Sequence, residues 1–192
     1  MNMGKAKKMK VTIDALFFVT PEQKLIRFLL TEPTTSFTPR VLSSRLKGVR
    51  GLGGAEGIKR ILNDLQEVGI VNFLNNNQSV CLNNDNIFVQ KLKSISALCD
   101  LEGIKELLEP LSTKGILFGS RASGLSRSDS NYDIYVVSEK PDEVEKIVTH
   151  HPLGKKIGLI VSFSDQHDKL ERQNPTLANK LSQGVVMWGS SW

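Results

Sequence analysis

The chain has 192 residues, of which 40% are hydrophobic, and it carries a formal net charge of +5. This length and apolar content are sufficient for one domain or two small ones and argue against an intrinsically disordered chain. Its two cysteines, Cys81 and Cys99, have no paired spacing. They therefore argue against a disulfide framework or a zinc ribbon and fit a reducing cytoplasm.

The positive charge lies in the first half of the chain. Residues 1–90 hold 12 Lys/Arg and 7 Asp/Glu, whereas residues 91–192 hold 13 of each. Clustered cations favour an acidic polymer as partner, because neutralising its phosphates releases counterions. The alternative is an ordinary solvated surface, and the charge excess alone does not separate the two.

The start of the chain, residues 1–19, is predicted to be a basic tail and lead-in. Its first ten residues contain four lysines, and the apolar run that follows is interrupted by Asp14 and reaches only to Val19. Such a run is too short and too polar for a signal peptide or a membrane segment. We therefore expect a cytoplasmic protein with no membrane association.

Three short amphipathic helices are predicted next. Thr20 can cap the first, with Pro21 at its first position, and Thr38 and Pro39 repeat this arrangement for the second. The third follows the glycine-rich link "GVRGLGG", carries its apolar residues on one stripe over "AEGIKRILNDLQEV", and ends at Gly69. The stripe comprises Ile58, Ile61, Leu62, Leu65 and Val68.

Two short β-prone runs, Ile70–Leu74 and Ser79–Leu82, follow the helices and are separated by an Asn-rich turn. Three helices followed by a hairpin are typical of a winged helix-turn-helix, which we predict for residues 20–83. In such a domain the third helix enters the major groove while nearby cations contact phosphates. The predicted DNA-binding residues are Arg45, Lys47, Arg50, Lys59 and Arg60. The alternative is a protein-interaction or dimerisation module in which these cations are solvated.

Residues 84–112 are predicted to be connecting helices. Their apolar positions keep helical spacing for most of "NIFVQKLKSISALCDLEGIKELLEP", with a bend or break expected near "CDLEG". From residue 113 to 192 the period changes, and short apolar strands ("GILFGS", "DIYVVS", "KKIGLIVSF") alternate with helical segments. This pattern predicts an α/β (α+β) chain in which a small sheet with flanking helices follows the winged helix.

One stretch in the second half carries a specific resemblance. Gly119-Ser120-Arg121, followed by Asp129 to Asp133 and an apolar strand, resembles the signature of minimal members of the polymerase-β-type nucleotidyltransferase superfamily. The segments "ALFFVTPEQKLIRFLL" and "GGAEGIKRILNDLQEVGIV" resemble winged helices fused to such domains. The resemblance implies a winged helix fused to a nucleotidyltransferase domain, with Mg²⁺ and a nucleoside triphosphate as cofactors.

The chemistry of that family explains these residue types. Gly119, Ser120 and Arg121 are the predicted phosphate-binding residues, since glycine lets backbone approach a phosphate and serine supplies donors. Two carboxylates two residues apart on one strand can share Mg²⁺, and a third from a neighbouring strand completes the site. This chain has Asn131 at the first position and Asp133 at the second.

The third position falls on Gly158, so two of three expected carboxylates are missing. Asn131 and Asp133 are the predicted catalytic residues, with Asp133 as metal ligand, and Mg²⁺ binding is expected to be weak because an amide carries no charge. Asp129 could replace the missing acid only if the loop bends, since about 13 Å would otherwise separate it from Asp133. The alternative is that Asp129 caps a turn.

Three hypotheses remain open. The first is a DNA-binding, transcription-regulating protein whose transferase domain is inactive. The second is an active Mg²⁺-dependent nucleotidyltransferase that modifies a small-molecule hydroxyl or a protein, such as the toxin partners that the resemblance implies. The third is an interaction module that meets neither nucleic acid nor nucleotide. A homodimer is compatible with the first, because winged-helix regulators often read repeated half-sites.

Overall fold

The computed structural model describes residues 11–190. It is a mixed α+β chain with two small sheets, which confirms the predicted fold class at that level. Residues 1–10, which hold the four lysines of the predicted basic tail, and residues 191–192 lie outside the described range.

The N-terminal half contains four helices and a hairpin. These elements are α1 (Ile13–Phe17), α2 (Pro21–Thr31), α3 (Pro39–Arg45), α4 (Gly54–Glu67), β1 (Val71–Leu74) and β2 (Ser79–Leu82). The predicted caps are confirmed, since the hydroxyls of Thr20 and Thr38 accept hydrogen bonds from the backbone N–H groups of Gln23 and Val41. The Gln23 side chain in turn accepts from the Thr20 N–H, which forms a capping box and fixes where α2 begins.

The hairpin is confirmed with its predicted turn, because Asn75, Asn76 and Asn77 have φ of 52°, 53° and 64°. A third extended segment joins it, since Phe37 and Val80 exchange two backbone hydrogen bonds of 2.8 Å. The prediction that Val68 belongs to the buried stripe of the third helix is wrong. Val68 follows the last residue of α4 and is 67% exposed.

A 22-residue helix, α5 (Ile87–Leu108), joins the two halves. The prediction of a break near "CDLEG" is wrong, because the helix continues through Gly103. A glycine costs a helix only about 1 kcal/mol, and packing on both sides of α5 outweighs this cost. Val89 and Cys99 belong to the N-terminal core, whereas Leu101 and Ile104 belong to the C-terminal core. No helix within residues 11–190 has the length and apolar content needed to cross a membrane.

The C-terminal half is a four-stranded sheet with helices on both faces. Its elements are β3 (Lys114–Phe118), α6 (Gly119–Ser123), β4 (Tyr132–Val137), α7 (Pro141–His150), β5 (Ile157–Ser162), α8 (Ser164–Asp168), α9 (Leu170–Gln173), α10 (Pro175–Ser182) and β6 (Val185–Trp188). The strand order is β5-β4-β3-β6, with β4 and β5 parallel and the other pairs antiparallel.

Alternation along β4 divides the core of this half into two layers. Ile134 and Val136 face α5 and α7, whereas Tyr135 and Val137 face α9 and α10. Asp133 therefore lies on the side of the sheet that α9 and α10 cover. This placement decides which side chains can reach its carboxylate.

A polar cluster around Arg27 ties α2 to α1 and α5. The guanidinium donates to Asp14 at 2.6 Å, to the Ser96 hydroxyl at 2.6 Å and to Asp100 at 2.5 Å. It also lies 5.5 Å from the centre of the Phe18 ring. Because the Arg27 side chain is only 16% exposed, removing it would leave Asp100 without its cation.

We expect Arg27→Ala to lower the free energy of unfolding by about 2–4 kcal/mol, because it breaks a half-buried charge network without removing the acids. Urea denaturation of the full chain measures this loss. Lys24→Ala on the same helix is the matched control, since Lys24 is exposed and should change stability by less than about 0.5 kcal/mol. Equal losses of unfolding free energy for the two variants would contradict the stabilising role assigned to Arg27.

Candidate functional site

The five cations predicted to bind DNA lie on two helices that pack together and on the loop between them. Arg45 ends α3, Lys47 and Arg50 lie in the loop that follows, and Lys59 and Arg60 lie on α4. All five side chains are exposed, and α3 packs directly against α4. The structure thus brings the predicted residues to adjacent elements.

A sixth cation, Arg40, was missed from the sequence. It is the second residue of α3 and is exposed, outside the face that buries Leu42. Its position at the start of the predicted second helix, just after the Thr38 cap, was the sequence feature that could have identified it. We call the six side chains the cationic corner, which consists of Arg40, Arg45, Lys47, Arg50, Lys59 and Arg60.

Segment 38–60 holds these six Lys/Arg and one acidic residue, Glu56, a net charge of +5 that equals that of the whole chain. Within residues 11–190 no ion pair or hydrogen bond engages the six side chains. Their charge is therefore directed to solvent. The surface can attract a polyanion without first breaking an internal contact.

The glycine-rich loop before α4 exposes the start of that helix. Gly53, the N-cap residue, has φ +68° and supplies no side-chain cap, so the first N–H groups of α4 lack a side-chain partner. A Cβ at Gly57 would lie 2.0 Å from the carbonyl oxygen of Leu52, which explains why glycine is required there. Lys47 borders a cavity of about 180 Å³ between this loop and α3. Helix N-terminus and cations together suit a phosphate group.

A second candidate site surrounds Asp133 at the start of β4. Asp133 pairs with Phe118 on β3 and with Gly158 on β5. A Cβ at Gly119 would lie 2.5 Å from one carboxylate oxygen, and a Cβ at Gly158 would lie 2.8 Å from the other. Two glycines therefore flank the carboxylate, and we call Gly119, Ser120, Asp133 and Gly158 the carboxylate cleft.

The electrostatics of the cleft are set by burial and by one cation. Partial burial raises the pKa of Asp133, and the positive charge of Lys180 on α10 opposes the rise. Lys180 was missed from the sequence, because only the packing of α10 on the sheet brings it near residue 133. The net effect is a carboxylate whose charged form the fold disfavours.

The remaining predicted acid positions do not complete a metal site. Asn131 is exposed and lies one residue before β4, and Gly158 lies opposite Asp133, where a third carboxylate was expected. Asp129 is exposed in a turn closed by a 3.1 Å hydrogen bond from the Ser130 N–H to the Arg127 carbonyl. Among residues 11–190 no group of three or more His, Cys, Asp or Glu side chains is placed to hold a metal ion.

The position of Arg121 argues against its predicted role in phosphate binding. Its side chain is buried, and Nε and Nη2 donate to the Ser130 carbonyl at 3.1 and 2.8 Å. The guanidinium carbon also lies 4.0 Å from the centre of the Tyr132 ring. Arg121 therefore supports the loop that leads into β4, and Gly119 and Ser120 are left as the predicted phosphate contacts.

A further polar cluster could not be found from spacing. On the Asp133 side of the sheet, His167 Nδ1 lies 3.2 Å from the Tyr135 hydroxyl and Nε2 lies 3.3 Å from Lys114 Nζ. An ammonium only donates, so Nε2 accepts and Nδ1 carries the proton. Burial lowers the pKa of His167, and the nearby Lys114 lowers it further.

No protein-family model, curated protein or solved structure matches the chain. The cationic corner and the carboxylate cleft are therefore the two candidate functional sites of the chain.

We expect Asp133→Asn to stabilise the protein at neutral pH. A raised folded-state pKa means that the charged carboxylate lowers stability above that pKa, and the effect disappears as pH falls below the unfolded-state value of about 3.9. The melting temperature of the variant should exceed that of the wild type at pH 7.5, and the difference should shrink as the pH approaches 4.

Asp129→Asn is the control, because Asp129 is exposed in its turn and the same chemical change there should leave the melting temperature nearly unchanged. A lower melting temperature for Asp133→Asn at pH 7.5 would show that the electrostatic attraction of Lys180 outweighs burial.

Proposed function

We propose that the chain is a DNA-binding, transcription-regulating protein that uses the cationic corner of a winged helix-turn-helix. The observation that carries this proposal is the set of six exposed cations on α3, the following loop and α4, with no internal partner among the described residues. The order of the elements supports the proposal, because the three helices α2, α3 and α4 are followed by the β1–β2 hairpin. The extended segment at Phe37 adds to this hairpin.

In this arrangement α4 is the recognition helix. Lys59, Arg60 and Asn63 are exposed on it, and these side-chain types read guanine and adenine edges in the major groove. Lys47, which borders the loop before α4, and Arg45, at the end of α3, are suited to phosphates. Base contacts and backbone contacts would thus come from adjacent elements.

The hairpin would contribute little charge. Residues 70–84 contain no Lys, Arg, Asp or Glu, and the turn consists of three asparagines. Amide groups can hydrogen-bond to phosphate or sugar, but they release no counterions. Within this domain the salt dependence of binding should therefore come from the cationic corner and not from the hairpin.

We expect the full chain to bind a short DNA duplex with an affinity that falls steeply as salt increases. Arg45→Ala/Lys47→Ala should weaken binding to all sequences and reduce the slope of log K against log salt by about 2, because two phosphate contacts are lost. Fluorescence anisotropy over a salt series measures both quantities.

The matched control is Lys140→Ala/Lys146→Ala, which removes two exposed cations at α7 in the C-terminal half. This variant should keep the wild-type slope. Absence of duplex binding by the wild type even at low salt would rule out the proposed function, and an equal loss in both variants would rule out the proposed surface.

For the C-terminal half we propose a nucleotidyltransferase-like domain that lacks the carboxylates for metal-dependent transfer. Of the three expected acid positions only Asp133 carries a carboxylate, and a single carboxylate holds Mg²⁺ weakly unless substrate phosphates add ligands. The backbone at Gly119 and Gly158 approaches this carboxylate so closely that a Cβ at either position would clash with it. The positive φ of Gly119, 71°, and the neighbouring Ser120 favour retained nucleotide binding as the second candidate function, with transfer to a protein or small-molecule hydroxyl as its active form.

We expect a graded response when acids are restored. Asn131→Asp should strengthen Mg²⁺-ATP binding in calorimetry, whereas transfer from labelled ATP should stay low, because a missing base costs about 10²–10⁴-fold. Adding Gly158→Asp should permit measurable transfer. A Cβ at position 158 would lie 2.8 Å from the Asp133 carboxylate, so the two carboxylates would be close and would repel each other without a cation. Mg²⁺ should therefore raise the thermal stability of the double variant but not that of the wild type.

Asn131→Gln is the control for the first step, since it changes size without adding charge. Robust transfer by the wild-type protein that Asp133→Ala abolishes would show that the cleft is an active site as it stands, and the inactive-domain proposal would fail.

A further inference from the structure

Strand β5 forms one edge of the four-stranded sheet. All six of its residues, Ile157 to Ser162, pair with β4 on one side. On its other side β5 pairs with no strand among residues 11–190. Its backbone N–H and C=O groups on that side are available to another chain.

The edge carries none of the usual protection against pairing. The strand reads "IGLIVS", six residues without a charge or a proline. Ile160 is 38% exposed and Phe163, just beyond the strand, is 39% exposed. A groove of about 470 Å³ between α7 and β5, bordered by Thr149 and Leu159, keeps this side of the strand accessible. Proteins normally block such an edge with lysine, proline or a bulge, or they cover it.

The charges at the two ends of β5 are opposite. Lys155 and Lys156 immediately precede the strand and are exposed. Asp165 follows it closely and is exposed, although Lys169 approaches one of its oxygens at 3.5 Å. The Glu139 carboxylate is at the same end, because it accepts a 3.1 Å hydrogen bond from the Ser164 N–H. The strand is therefore basic where it begins and acidic where it ends.

This distribution of charge along β5 favours a second copy of the chain as the partner and an antiparallel direction of pairing. If a second β5 runs antiparallel to the first, the basic end of each strand lies beside the acidic end of the other. A parallel arrangement would place like charges together. Only the antiparallel arrangement has twofold symmetry, so both copies use the same surface and no β5 edge is left to continue a filament.

We propose that β5 pairs antiparallel with β5 of a second copy of this chain, which joins two four-stranded sheets into one of eight strands. With the twofold axis at Ile160, Gly158 lies opposite the partner's Ser162, because residues directly opposite each other share one face of the sheet. Lys155 and Lys156, just before one strand, then lie beside the start of the partner's α8, which carries Asp165.

The dimer should be weak. A six-residue strand pair with its flanking side chains buries less than the roughly 1,200–2,000 Å² of standard stable complexes. We therefore expect a dissociation constant in the micromolar range, which would make dimerisation depend on protein concentration and on salt.

Sedimentation velocity of the full chain over a concentration series tests the proposal. The wild type should shift from monomer to dimer and no further. Ile160→Lys, which places a charge on the edge, should raise the dissociation constant by at least about 10-fold. Val68→Lys is the matched control, since Val68 is also an exposed apolar residue but lies in the N-terminal half, and this variant should dimerise like the wild type.

Charge variants at exposed positions give a second measurement that does not depend on how the edge tolerates a lysine. Lys155→Glu/Lys156→Glu should weaken the dimer, because acidic side chains would then lie at both ends of β5. Adding Asp165→Lys should restore the dimer, because the two ends again carry opposite charges. A wild type that stays monomeric up to about 500 µM would overturn the proposal. So would a dimer that Ile160→Lys leaves unchanged, or assembly that continues beyond the dimer.

Discussion

The half-buried carboxylate of Asp100 on α5 connects the two halves of the molecule. It accepts hydrogen bonds from Arg27 of the N-terminal half at 2.5 Å and from the Tyr132 hydroxyl of the C-terminal half at 2.6 Å. Tyr132 packs against Arg121, which holds the Ser130 carbonyl. Burial, followed by the hydrogen bond to Asp100, raises the pKa of Tyr132, so the phenol stays a donor. A continuous polar network thus runs from α2 to the start of β4, and its members depend on one another.

Further contacts position the loop before Asp133, which contains several serines. The Ser128 hydroxyl lies 3.0 Å from that of Thr34 in the N-terminal half. Gly124 lies so close to α5 that a Cβ there would be 1.9 Å from the Gln90 carbonyl oxygen. The loop is therefore held by α5, by the N-terminal half and by Arg121 together. The position of Asp133 in the cleft depends on contacts well outside its own sheet.

Local features of the fold could be predicted from the sequence, whereas features set by distant contacts could not. Thr20 and Thr38 mark helix starts because a cap needs only neighbouring residues, and the asparagine turn likewise follows from local backbone preference. The continuity of α5 was missed because two cores stabilise it across Gly103. Arg121 was assigned to phosphate because its neighbours in sequence suggested that role, while its actual partner is the Ser130 carbonyl. Lys180 reaches Asp133 only through the packing of α10, which no spacing rule reveals.

The pairing of Asp133 with Gly158 reconciles the proposed loss of transfer with a stable sheet. A second carboxylate at position 158 would crowd the first, and two like charges in a partly buried site require a cation to be stable. With glycine there, the sheet carries one disfavoured charge, which Lys180 partly offsets. The C-terminal half can then fold without a metal. The two halves share α5, so the core of the C-terminal half also fixes the helix against which the N-terminal core packs.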